Sequence, residues 1–234
     1  MTAEPYQTFR DQGYYVFEGA LDDQELAGLR AAADVLLAED PDDGGGNTHN
    51  IGRGEARRFL RHRHEEFPAV NSFLFSDKMR ARVTGLIGEK AYLFNEQFVV
   101  KGADTGASFA WHQDGGYVGF NHKPYLTVWV ALDDATLENG CVYILPRNLD
   151  EDDSVIEHRW DEAGKEKVGY DGDDPGVAMT CKAGTIVAFS STTLHCSGGN
   201  TTQNRRRAYV CQYSPEPIID PATGELKRFA KELA

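Results

Sequence analysis

From residue 91 onward the apolar side chains recur at every second position, and this period constrains the fold more than any other feature of the 234 residues. A period of two marks strands that turn one face to a core. Seven segments carry it: AYLFNEQFVVKG, SFAWHQD, YLTVWVALDD, CVYILP, GVAMTCKAG, TIVAFSS and RRAYVCQYSP, with Gly, Asp or Asn turns between them. Such a succession predicts an antiparallel sandwich or barrel. The preceding residues read differently. In GALDDQELAGLRAAADVLLAED, Asp22 is placed to cap a helix and Glu25 to close a capping box, while Leu26, Leu29, Ala33 and Leu36 recur at helical spacing. A second helical region runs roughly from 65 to 88, and PDDGGGN reads as a flexible loop between the two. Helices first and strands afterwards predict an α+β, mainly β, fold. We expect one domain over 1–234, mainly helical through residue 90 and strand-built over 91–215.

Composition narrows the function. No apolar run approaches the length of a membrane span, and MTAEPYQTFRDQGYY has neither the basic nor the apolar region of a secretion signal. Cys141, Cys181, Cys196 and Cys211 are widely spaced, which argues against a four-cysteine zinc site or a disulfide framework and fits a reducing cytoplasm. A net charge of −13 argues against nucleic acid, whose phosphates need clustered Lys and Arg. The expected partner is a small-molecule substrate, bound by a monomer or homodimer without a membrane. One segment runs against the overall charge: RGEARRFLRHRHEEF holds Arg53, Arg57, Arg58, Arg61 and Arg63. It reads either as a solvated helix face or loop, or as a basic wall that attracts an anionic substrate or cosubstrate. Residues 148–176 are acidic and Gly-rich without a sustained period or EF-hand spacing, and are expected to form a mobile lid.

The chemistry centres on ASFAWHQDGGYVGF. Residues two apart on a strand share a face, so His112 and Asp114 aim into one volume. They are two legs of a metal site, or a hairpin's polar pair facing water. A third leg is available in His195 of STTLHCSGGN, and two histidines with one carboxylate leave coordination positions open, as oxygen-activating non-haem Fe(II) requires. Arg206 is in phase with Ala208 and Val210, while Arg205 and Arg207 fall on the other face. An inward arginine needs a carboxylate, either the protein's own or the distal carboxylate of 2-oxoglutarate. Asn95, Gln97 and Lys101 share a face opposite Phe94, Phe98 and Val100, a polar stripe that either meets water or lines a site. Trp129 shares its face with Thr127 and Ala131, as a core aromatic or a cosubstrate contact. Tyr117 and Phe120 follow the His-x-Asp motif, positioned to grip substrate or to cover a barrel mouth. His49, His62, His64, His122 and His158 read as surface or loop groups, and Cys196 as a small packing residue.

WHQDGGY, VWVALDDATLENGCVYILP and HCSGGNTTQNRRRA resemble the phytanoyl-CoA dioxygenase family of Fe(II)/2-oxoglutarate oxygenases, and GYYVFEGALDDQELAGLR is similar to that family's opening. The resemblance covers most of the chain. It implies a double-stranded β-helix (jelly-roll) core with N-terminal helices, iron on His112, Asp114 and His195, and the 2-oxoglutarate tail on Arg206 with Ser197 adding a hydroxyl. It also implies Trp129 and Gln97 against the cosubstrate, and hydroxylation of a C–H bond using O2, with release of succinate and CO2. Asp114 stands where related halogenases carry a small residue, which disfavours halogenation; desaturation and cyclisation stay open. The segment between Lys101 and His112 is short, and an upstream lysine that reaches the cosubstrate in a family prototype has no position here; an arginine of the 53–63 cluster is a candidate substitute. Two other readings are a non-catalytic jelly roll that binds a metal or anion and a cupin-like metal isomerase, neither of which demands the full set of His112, Asp114, His195 and Arg206.

Overall fold

The computed structural model describes residues 3–39, 48–51 and 57–233; PDDGGGN and Arg53 lie outside them. Helix α1 (Ala3–Gln12) leads into strand β1 (Tyr14–Phe17), and helix α2 (Asp23–Ala38) starts at the expected capping box. The Glu25 amide donates to Asp22 Oδ1 at 2.9 Å and the Asp22 amide to Glu25 Oε2 at 2.9 Å, which satisfies two amides the first turn leaves free. Strands β2 (Thr48–Ile51) and β3 (Arg57–Arg61) follow, then helix α3 (Pro68–Leu74) and helix α4 (Asp77–Ile87), the latter capped by Ser76.

All seven expected strand segments form: β4 (Tyr92–Lys101), β5 (Phe109–His112), β6 (Leu126–Ala131), β7 (Val142–Ile144), β10 (Val177–Met179), β11 (Ile186–Ser190) and β13 (Arg206–Ser214). Between them lie β8 (Arg159–Asp161), β9 (Glu166–Val168) and β12 (His195–Ser197), and β14 (Lys231–Glu232) closes the chain. They pair antiparallel into a large sheet of order β1-β11-β6-β13-β4-β3-β2 with β14 on β4, and a small sheet of order β10-β7-β12-β5. This is the jelly-roll arrangement of two facing sheets. The period of two decides what each face meets. Val128, Val130, Ile186, Ala188 and Tyr209 pack outward against Leu29, Leu36, Phe73, Met79 and Val83 of the helices. Trp129, Ala131, Val187, Phe189, Ala208 and Val210 point inward against Val142, Ile144 and Met179 of the small sheet.

Three features correct the sequence reading. Residues 57–61 of the basic segment form a strand, not a solvated helix face or loop: β3 pairs with β4, and Arg57, Arg58 and Arg63 are buried. Their charge is tolerated because partners arrive from distant segments. Arg57 meets Glu166 at 3.1 Å, Arg58 donates to the carbonyls of Leu37 and Glu39, and Arg63 binds Glu66 and Glu39. Phe94 does not share a face with Phe98. The β4–β13 register shifts where Gln212 pairs with Asn95 and Tyr213 with Leu93, so Phe94 is the extra residue of a bulge and packs with Val118, Tyr125 and Ile218. His64 is a buried group, because its Nδ1 lies 3.2 Å from the fully buried Glu96 carboxylate and its Nε2 3.0 Å from Lys231.

Residues 148–176 carry a β8–β9 hairpin that no sequence period announces, fastened by polar contacts described below. Among the described residues no helix is long and apolar enough to cross a membrane.

Candidate metal centre

The antiparallel pairing of β12 with β5 puts His195 directly opposite His112, and the chain turns after β5 so that Asp114 comes between them. Asp114 Oδ1 stands 3.7 Å from His112 Nε2 and 3.6 Å from His195 Nε2. One ligand atom from each lies within 4.8 Å of the others, and this is the metal-competent His/Cys/Asp/Glu cluster among the described residues. Each ring is oriented through its other nitrogen. His112 Nδ1 faces the Ala110 carbonyl at 2.7 Å and His195 Nδ1 the Thr193 carbonyl at 3.1 Å, so Nδ1 carries the proton and Nε2 keeps its lone pair for an ion. Asp114 is held likewise: Thr127 Oγ1 donates to Oδ2 at 2.6 Å and Gln212 Nε2 at 3.0 Å, which leaves Oδ1 toward the histidines.

Electrostatics favour the ligating protonation states of Asp114 and His195. Burial works against the Asp114 carboxylate, but His195, then His112 and Thr127, hold it well below the usual carboxylate range. Burial, reinforced by His112, takes His195 down to about 4, so its imidazole is neutral at pH 7. Burial also pulls on His112, yet the bond and charge of Asp114 outweigh it and leave that ring raised. The glycines that follow have a packing reason. A Cβ on Gly115 would stand 2.8 Å from the Val155 side chain, and one on Gly116 2.7 Å from the His158 ring.

Beside the triad is a cavity between the sheets that reaches Arg206, Ser197, Trp129 and Gln97. Arg206 is fully buried, 5.6 Å over the Trp129 ring. Its Nη2 donates to the Gly140 carbonyl at 3.0 Å, while Nε and Nη1 have no hydrogen-bond partner among the described residues. No carboxylate forms an ion pair with it among the described residues. Burial alone lowers its pKa, to about 10, and an unpaired buried guanidinium is costly unless an anion completes it. Orphaned donors facing a cavity next to a metal triad fit a small carboxylate ligand chelating the same ion. Lys101 is the cross-strand neighbour of Arg206 and equally buried; its Nζ donates to the Gly198 carbonyl, and burial, then Arg206 and Arg57, push it down to about 6.

A second cavity, about 330 Å³, opens on the other side of His112 and Asp114 and takes in Asn95, Gln97, Tyr117 and Gln212. Tyr117 sits edge-on to His112 at 5.6 Å and its hydroxyl accepts the Lys167 amide. Phe120 is not brought to the site; it packs beside Val118 and lines a separate pocket. The β8–β9 hairpin reaches this cavity through Trp160, Lys165 and Glu166. It is fastened by Glu166 Oε2 accepting the Ala110 amide, Gly169 donating to the Trp111 carbonyl, and Arg57 donating to the Gly164 carbonyl. Thr127 and Gln212, which bond Asp114, were not among the candidate site residues of the sequence reading. The signal was present, because Thr127 is in phase with Trp129 and Gln212 with Arg206. Arg228 had no such signal, since it arrives from the irregular C-terminal segment.

The sequence model of the phytanoyl-CoA dioxygenase (PhyH) family matches residues 9–208. A Stutzerimonas stutzeri protein named "probable alpha-ketoglutarate-dependent hypophosphite dioxygenase" is 28% identical, over 92% of this chain and 79% of that protein. A 2-aminoethylphosphonate dioxygenase from uncultured bacterium HF130_AEPn_1 is 30% identical over 62% of this chain, which spans only 54% of that relative. The crystal structure of the epimerase SnoN, in complex with Fe3+, alpha ketoglutarate and nogalamycin RO, superposes with a TM-score of 0.75 at 20% identity, covering 99% of this chain and 98% of that one. At that identity the superposition speaks for the fold alone.

Proposed function

Because this chain belongs to the phytanoyl-CoA dioxygenase family, we propose that it is an Fe(II)- and 2-oxoglutarate-dependent dioxygenase that hydroxylates an unactivated C–H bond of a small-molecule metabolite. The observation that carries the reading is the pairing of the His112–Asp114–His195 cluster with the orphaned donors of Arg206 across one cavity. The residues present fit both groups. His112, Asp114 and His195 would hold the iron, and Arg206 with Ser197 the distal carboxylate of 2-oxoglutarate. When bound, these groups supply the oxidation: one O2 atom goes into succinate as 2-oxoglutarate loses CO2, and the other into the substrate C–H.

The chain's own contribution is positioning. Thr127 and Gln212 keep Oδ1 of Asp114 aimed between the imidazoles, and the carbonyls of Ala110 and Thr193 fix both tautomers. Arg206, held over the Trp129 ring and bonded to the Gly140 carbonyl, would set how far the cosubstrate enters. Trp129 and Gln97 line the cosubstrate cavity, and Tyr117 and Asn95 the side open to substrate. Desaturation or cyclisation would use the same machinery with a differently seated substrate. The cysteine spacing supports the cytoplasm as its compartment.

The test is spectroscopic. Fe(II) with 2-oxoglutarate, without oxygen, should produce a weak visible charge-transfer band that a chelator removes and that His112→Ala abolishes. A band unchanged in that variant takes His112 out of the metal shell. Arg206→Ala should weaken 2-oxoglutarate binding by about 1.5–3 kcal/mol, the scale of a charged hydrogen-bonded contact, with iron affinity little altered and Arg205→Ala silent. Uncoupled succinate production separates this reading from a binding protein and from an isomerase.

A further inference from the structure

The cavity on the open side of His112 and Asp114 is cationic in a protein whose net charge is −13. Arg57, Arg61, Lys165, Lys227 and Arg228 line it, against the carboxylates of Glu166 and Asp114. Most of these charges are accounted for. Arg57 pairs with Glu166 at 3.1 Å, Lys165 with Glu162 at 2.8 Å, Asp114 belongs to the metal cluster, and Lys227 donates to the Val118 carbonyl.

Arg61 and Arg228 are different. Arg61, on β3, gives its Nε to Gln97 Oε1 at 3.1 Å and lies over the Phe59 ring, and its terminal nitrogens have no partner among the described residues. Arg228, on the segment that leads into β14, has neither a hydrogen bond nor an ion pair among them. Both line one cavity, and beside the burial that lowers Arg61 the charge of Arg228 lowers it further. Neither guanidinium has an ion pair among the described residues, and the carboxylate whose charge reaches Arg228 is Asp114, which belongs to the metal cluster. Arg61 is half-buried and Arg228 exposed where they line the cavity, and a cleft lined mainly by one sign of charge focuses its field and draws in an anion. Gln97 ties the arrangement to the chemistry, because it lines this cavity and the cosubstrate cavity alike.

We propose that the substrate carries a terminal oxyanion, a carboxylate or a phosphorus oxyacid, held between Arg61 and Arg228 with the bond to be oxidised directed back toward His112 and Asp114. This rests on the dioxygenase reading and deepens it by naming the substrate class. Arg61 and Arg228 are specificity residues: they fix the remote end of the substrate, and planar guanidinium forks suit either class of oxyanion.

The experiment is calorimetric binding of methylphosphonate, propionate and the uncharged dimethyl methylphosphonate, with 2-oxoglutarate saturating so that Arg206 is occupied. Measurement with Fe(II) under anaerobic conditions and again without metal keeps the outcome independent of turnover. The wild-type protein should bind at least one anion and not the neutral ester, and the tighter of the two identifies the oxyanion class. Arg61→Gln and Arg228→Gln should each weaken it at least tenfold, Arg61→Lys and Arg228→Lys should restore part of it, and Lys165→Gln should leave it within about twofold. The charge-transfer band should survive in all these variants; its loss in wild type would count against the dioxygenase reading instead. No binding of either anion up to about 10 mM, equal binding of the neutral ester, or undiminished binding in the Arg61→Gln, Arg228→Gln double variant overturns the proposal.

Discussion

Lys101 is the residue whose environment departs furthest from what its type prefers. An ammonium group has been carried into the space between the sheets, beside Arg206 and Arg57, where it donates to the Gly198 carbonyl. Its pKa falls from 10.5 to about 6, with burial the largest cause and the two arginines next. Between those values the unfolded chain binds one more proton than the folded one. Stability contributed by this group is therefore complete above pH 10.5 and is lost progressively as the pH falls toward 6. The slope is about 1.4 kcal/mol per pH unit inside the window. Lys101→Met should flatten the stability curve by that amount between about pH 7 and 9.5, read by denaturant unfolding at a series of pH values. Parallel curves for the two proteins would mean that Lys101 stays charged in the folded state. The same logic explains Thr127 and Gln212, whose polar atoms are tolerated in the interior because Asp114 Oδ2 accepts from both.

At the scale of elements, the β8–β9 hairpin forms one wall of the cavity beside the metal cluster. It has little apolar surface of its own, with Trp160 half exposed, so its order depends on contacts borrowed from the barrel. Arg57 supplies the central one: it bridges the Ser108 carbonyl, the Gly164 carbonyl and the Glu166 carboxylate, while Gln113 holds Ser154 and Ile156 just upstream. Breaking one side of a buried pair costs about 3–5 kcal/mol. Arg57→Ala, or the milder Glu166→Gln, should accelerate amide exchange at residues 164–169 by about tenfold or more, with the β6–β13 amides unaffected. Unchanged exchange would show that the backbone bonds of Ala110 and Gly169 suffice. Exchange that slows when substrate is added to the wild-type protein would bear on the lid expected over 148–176, and strong protection beforehand would argue against it.

At the scale of the whole molecule, a −13 chain must admit an anionic cosubstrate. The overall charge is felt over the screening length and the local guanidinium groups over a few ångströms, so ionic strength selects between them. At 10 mM salt the screening length is about 30 Å, larger than the radius of gyration of about 17 Å expected for a chain of this length. At 150 mM it is about 8 Å, and an approaching anion senses mainly the cationic side of the site. The association rate of 2-oxoglutarate should therefore rise severalfold from 10 to 150 mM salt, measured by stopped-flow quenching of tryptophan fluorescence. A fall over that range would mean that the local cations govern the approach at every salt concentration.

What the sequence determined by itself is whatever depends on neighbours along the chain. The period of two settled which residues of β6 and β13 share a face and put Arg206 in phase with Ala208 and Val210, while only the packed sheets brought Gln97 and Trp129 into one interior with it. The His-x-Asp motif named two legs of the metal cluster, although Asp114 reaches it from the turn after β5 and not from the strand's own face, and the Asp22–Glu25 box started its helix where expected. Tertiary structure decided whatever needs a partner from far away. A run of arginines reads as solvated until Glu166, Leu37 and Glu39 come to meet it, so β3 could not be recognised as an interior strand. His64 reads as a loop histidine until Glu96 and Lys231 enclose it, and Phe94 as an outward residue until a bulge turns it. The exact face of Asp114 presented to the histidines depends on Thr127 and Gln212, and the second guanidinium of the anion cavity on a C-terminal segment with no period at all. Periodicity is written in consecutive residues, whereas the compensation of buried charge is settled only when distant segments pack.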